Sequence, residues 1–143
     1  MKLLDFSIAT DCIALERGAA YYDLHNCFDF QGIEYDVAKR TVLMRWTRGT
    51  GDWVKASEPP ELQLEFSGVS LFKAHERDAA LPFTEDDCLD SLGFLWDNLL
   101  PEMHGYTSNQ PAKDCTHFVA IFMSGFSVKV GAESVGLRVA GST

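Results

Sequence analysis

Long apolar runs are absent from this chain of 143 residues. The opening stretch Met1 to Phe6 meets an acid at Asp5, so it does not read as a signal peptide. No segment approaches the roughly 18 apolar residues of a membrane span. The compartment expected on these grounds is the cytoplasm. Closely paired cysteines are missing too. Cys12, Cys27, Cys88 and Cys115 contain no C-x-x-C, and in a reducing compartment such scattered cysteines stay as thiols. Positive charge is scarce: 12 Lys and Arg face 21 Asp and Glu, for a net charge of −9. That balance argues against nucleic acid, which needs a basic surface, and against an anionic membrane. Catalytic signatures are lacking as well, with no G-x-S-x-G, P-loop, G-x-G-x-x-G or H-E-x-x-H.

What is present is strand-like. The length fits one domain over 1–143, and ten Phe with seven Trp and Tyr suit strands. His117 to Val139 reads as a β-hairpin and a third short strand. Phe118, Ala120 and Phe122 alternate with Val119, Ile121 and Met123, so both faces are apolar, as expected of a strand inside the core. Ser124-Gly125 reads as a two-residue turn. The return strand sets Phe126, Val128 and Val130 on one face and Ser127 and Lys129 on the other. The core is expected to join Phe118, Ile121, Phe122, Phe126 and Val128 to Met44, Trp46, Leu64 and Phe66.

Leu4, Phe6 and Ile8 alternate as an opening strand. Leu15 to Leu24 suits a short helix, although Gly18 inside it costs roughly 1 kcal/mol relative to Ala. Phe28 and Phe30 change parity to Ile33 and Tyr35 across Gly32, which predicts a bulge. Val37 to Arg40 turns the chain into a returning strand with Val42, Met44 and Trp46 on one face. After a Gly- and Pro-marked loop over 49–60, Leu62, Leu64 and Phe66 form a half-buried strand that bends at Gly68. Thr84 followed by Glu85, Asp86 and Asp87 reads as a helix start, predicting a helix over 85–92 and leaving 93–100 as helix or strand. Residues 101–116 read as a long polar loop. The expected fold is mainly β: a single-domain antiparallel β-sandwich or a curled barrel-like sheet with one or two short helices.

Charge is concentrated. Between Asp78 and Ala112 lie seven acids and no Lys or Arg. Asp78, Asp86, Asp87, Asp90, Asp97 and Glu102 are therefore candidates for an acidic face that meets a basic protein. Trp53 and Tyr106, each in a loop, are candidate exposed aromatics for that contact. Asp86, Asp87 and Asp90 share a helical face on which Mg²⁺ or Ca²⁺ would be held, but a solvated acidic first turn explains them without a metal. His25 with Cys27, and Cys115 with His117, are two-residue steps. On neighbouring strands they would make a tetrahedral zinc set, though at no known zinc spacing, and buried thiols with unconnected histidines is the plainer reading. As nucleophile and base, Cys115 and His117 on one strand face are about 7 Å apart, too far for activation, so a hydrolase would need His25, His75 or His104. No cofactor is expected.

The segments E-Y-D-V-A-K-R-T-V-L-M-R-W, E-L-Q-L-E-F-S-G-V and H-F-V-A-I-F-M-S-G-F-S-V-K-V-G-A-E-S-V resemble the hairpins of small bacterial β-rich proteins, some of them immunity proteins of polymorphic toxin systems. The resemblance implies a single-domain binding protein without cofactor and transfers no site residue. Three functions follow as expectations. The first is a non-enzymatic acidic binding protein, such as an inhibitor of a basic toxin or enzyme. The second is a small-molecule binder with an aromatic-lined pocket. The third is a Cys/His- or metal-dependent hydrolase.

Overall fold

The computed structural model describes residues 1–95, 107–111 and 117–141. Two five-stranded sheets pack their apolar faces together. The first runs in the order β1 (Lys2–Leu4), β13 (Ser134–Val139), β7 (Glu61–Ser67), β6 (Thr41–Arg48), β5 (Phe28–Asp36). The second runs β10 (Thr107–Ser108), β9 (Leu89–Leu95), β11 (His117–Phe122), β12 (Ser127–Gly131), β8 (Leu71–His75). A small third sheet, β2 (Ser7–Ile8), β3 (Ala14–Arg17) and β4 (Ala20–Asp23), adds Ile8, Leu15 and Leu24 to the same core. Among the described strands all pairings are antiparallel except β1 with β13. The fold is mainly β, as the alternation predicts.

Period-two patterning explains the core. Val42, Met44 and Trp46 of β6 and Leu62, Leu64 and Phe66 of β7 all point inward and are fully buried. Opposite them stand Phe118, Ala120 and Phe122 of β11 and Val128 and Val130 of β12. Phe66 meets Phe118 at 5.0 Å between ring centroids, and Phe30 meets Phe122 at 4.4 Å. Such tilted ring pairs add roughly 0.5–1.5 kcal/mol beyond area burial. Phe126 packs against this core only in part, and Ile121, on the opposite parity, is half-buried and outside it. The second sheet is covered on its other face too: Val119, Ser127 and Lys129 are buried there. Ser127 and Lys129 therefore do not mark a solvated face, and the double apolar pattern of β11 belongs to a strand enclosed on both sides.

Several local expectations are corrected. The 85–92 helix is replaced by one 3₁₀ turn, Phe83–Glu85, and the strand β9. Leu15 to Leu24 is the β3–β4 hairpin, with Gly18 at φ 58° in its turn. The opening strand is split by Asp5 at φ 61°, which sends β1 and β2 into different sheets. The β11–β12 connection is a three-residue loop, not a two-residue one. Gly125 N–H donates to Phe122 O, and Phe122 N–H donates to Phe126 O, around Gly125 at φ 84°. Thr107 and Ser108, expected in a loop, pair with β9. The bulge at Gly32 is present, as a register shift between Phe30 and Gly32, and Gly68 bends the chain at φ 68° after β7.

Candidate functional site

The first sheet reaches towards the second through the backbone where Phe30 N–H of β5 donates to Asp87 O, 2.9 Å away, just before β9. A loop over 76–88 is pinned beside this joint by the β11–β12 hairpin tip. Asp78 N–H donates to Ser124 O, Ser124 N–H to Glu85 O, and Met123 N–H to Cys88 O. The loop is organised around Arg77. Its Nε donates to Asp86 Oδ1 at 2.8 Å, and its Nη groups donate to the carbonyls of Asp78, Leu81 and Pro82. The guanidinium also lies 4.6 Å from the centre of the Phe83 ring. A planar fork of five donors suits this task, and a lysine ammonium does not.

Between loop and sheet lies a cleft of about 490 Å³. Phe30 and Phe126 line it with Phe83, whose side chain is 80% exposed. Glu76, Asp86 and Asp87 add three carboxylates and Arg77 one cation, leaving a formal lining charge of −2. Gly32, at the bulge, also lines it. The two neighbouring aspartates differ. The Arg77 hydrogen bond holds the Asp86 carboxyl below its ordinary pKa. Desolvation pushes Asp87 up, and the negative charge of Asp29, Asp86 and Glu85 adds to it. A carboxylate raised by desolvation beside aromatic faces, as Asp87 is, forms an environment that a cation relieves.

The acidic candidates are thus divided. Asp86, half-buried, and Asp87, exposed, line the cleft, while Asp78 and Asp90, also exposed, lie outside its lining. Among the described residues, no ion pair reaches Asp78, Asp87 or Asp90. Asp97, Glu102, Tyr106, His104 and Cys115 lie outside the described residues. Trp53 is 71% exposed and donates its Nε1–H to Asn26 O at 2.7 Å, away from the cleft. The sequence reading missed Arg77, Phe83, Phe30 and Phe126. Arg77 directly precedes the acidic run, and that adjacency was the available signal.

The Cys/His expectations are rearranged. His25 and Cys27 sit in the turn between β4 and β5, so their two-residue step is not a strand step. His117 lies on β11. His25 instead meets Cys88, a partner the spacing did not suggest, with Sγ 3.7 Å from Nδ1. That nitrogen also bonds Leu89 O, and a carbonyl only accepts, so Nδ1 carries the proton and is no base for the thiol. Burial, then the surrounding carboxylates led by Glu85, raises the Cys88 pKa, the reverse of what activates a nucleophile. Burial likewise raises Cys27. Among the described residues, no three His, Cys, Asp or Glu side chains are grouped to hold a metal ion. Asp86, Asp87 and Asp90 in particular do not share a helical face, because the segment is not helical.

A second groove, of about 560 Å³, is lined by Tyr21, Arg48 and the Pro59-Pro60 pair. Two of its polar side chains are already engaged: Arg48 donates to Ala56 O and Glu58 O, and the Tyr21 hydroxyl donates to Asp11. Among the described residues, no helix is long and apolar enough to cross a membrane. The chain matches no family model, no curated protein and no solved structure.

Proposed function

We propose that this chain is a non-enzymatic binding protein whose acidic, aromatic cleft takes a guanidinium or ammonium group from a basic protein partner. The observation that carries the reading is the juxtaposition of Asp87 and Glu76 with the rings of Phe30, Phe83 and Phe126. A cation there gains ring-face attraction and relieves a desolvated carboxylate at once. The −9 charge of the whole chain supports it by drawing a basic partner in. The resemblance to immunity proteins supplies a role consistent with this chemistry: a cytoplasmic inhibitor of a basic toxin or enzyme, acting by occlusion, with neither nucleic acid nor membrane as partner.

A second reading is a small organic ligand, favoured by the cleft volume, which falls in the usual range for such sites of roughly 300–1,000 Å³. One titration separates the two. Acetyl-arginine amide and its neutral citrulline counterpart are added to the protein, and backbone shifts are followed by NMR. The proposal expects shifts at Phe30, Asp87 and Phe126 with arginine, weaker at high salt, and lost in Glu76→Gln/Asp87→Asn. Equal response to citrulline supports the neutral-ligand reading instead. Shifts that bypass the cleft refute both.

A further inference from the structure

Resting on that reading, we infer that the basic partner docks as an extended segment that adds a strand to the outer edge of β5 and delivers one cationic side chain into the cleft beside it. The alternation of the β5 backbone identifies the open positions. Phe30 N–H leaves β5 for Asp87 O and not for β6, so at Phe30 the polar groups face the outer edge. The bulge adds Gln31 before Gly32 pairs with Arg45. Outward positions after it are therefore Ile33 and Tyr35, while Glu34 bonds to β6. β5 ends the first sheet, and no backbone bond joins Ile33 or Tyr35 to another described strand. Among the described residues, these two positions thus leave two N–H and two C=O groups in register for a further strand. Just beneath, Tyr35 and Phe72 of β8 meet at 5.1 Å and form an aromatic shelf.

Charge selects the occupant. β5 carries Asp29, Glu34 and Asp36 and no Lys or Arg of its own. Lys39, an exposed residue of the following turn, lies 3.7 Å from Asp36 and offsets one of them. A second copy pairing β5 against β5 would set acids against acids, which is unfavourable across strands. A strand alternating basic and apolar residues meets the opposite situation. Its basic side chains lie along Glu34 and its apolar ones along Ile33 and Tyr35. Gly32, which lines the cleft and follows directly on the pairing stretch towards Phe30, gives the next residue a side-chain-free wall. Main-chain bonds then supply the docking and the cleft supplies the choice of residue.

The test is amide hydrogen exchange on the full chain with acetyl-Arg-Val-Arg-Val-Arg-Val-amide at millimolar concentration. Parallel samples hold the Glu-for-Arg peptide and an arginine peptide N-methylated at alternate amides. The inference expects the Ile33 and Tyr35 amides to slow at least tenfold with the arginine peptide alone. The N-methylated peptide should still shift Asp87 and Phe126 but protect neither edge amide. Cleft shifts without edge protection from the unmodified arginine peptide would overturn strand addition and leave the cleft reading intact. Silence at both places would overturn both. Edge protection that rises with protein concentration, without peptide, would name a second copy as the occupant and also overturn it.

Discussion

Asp86 and Asp87 are adjacent in the chain and opposite in their effect on stability. For Asp86 the folded pKa lies below the ordinary 3.8, so its contribution is present above that value and is lost as pH falls through the lowered one. For Asp87 the folded pKa lies above 3.8, so the folded state holds the extra proton and stability falls as pH rises through that window. Asp86→Asn should therefore lower Tm at neutral pH, and Asp87→Asn should raise it. Both differences should shrink below the ordinary aspartate range, as thermal unfolding between pH 3 and 7 would show. Phe122 contacts both Phe30 and Phe126, so Phe122→Ala should cost about 3–5 kcal/mol in urea unfolding. A cost under about 1 kcal/mol would mean that these rings close over the gap.

Strand β9 shows where reading the sequence reaches its limit. Leu89, Leu92 and Leu95 recur every three residues, and acids precede them as they precede a helix. The structure buries Leu92, Gly93, Phe94 and Leu95 in succession, so enclosure on both faces erases the alternation that marks a strand. By contrast β6, β7 and the β5 bulge were legible, because one face of each stays wetter and the parity change at Gly32 is visible. The cleft was half legible. Its acids stand in one run, but Phe30 and Phe126 come together only through sheet packing, and nothing local reveals that Phe83 is exposed. Gly93 itself has a steric reason. A Cβ there would lie 2.6 Å from Ser108 O, on the backbone of β10. Gly93→Ala should destabilise the protein by roughly 1–3 kcal/mol and loosen β10, measured as faster exchange at Thr107 and Ser108. Arg77→Lys should free the 78–86 loop almost as fully as Arg77→Ala, because an ammonium cannot reproduce the fork. Exchange rates at Leu81 and Asp86, whose N–H groups bond within this loop, report it.

At the scale of the molecule, the pairing of Lys2 with Ser134 ties the two ends of the described chain into one sheet. Contacts of such long range are slow to form, so refolding should occupy milliseconds to seconds in stopped flow. Full recovery of the native signal within microseconds would contradict this topology. The same arrangement has a consequence during synthesis. β13 sits between β1 and β7, so the strand that completes the first sheet is made last of the three. From Ser67 to Ser134 a ribosome working at 5–20 residues per second takes roughly 3–13 s. Throughout that interval the nascent chain presents the edge of β7 and the apolar side of Leu62, Leu64 and Phe66 without their neighbour. The protein's exposure to misassembly is thus set by translation speed across its second half, and slow codons between β7 and β13 should lower the yield of folded chain without changing a single residue.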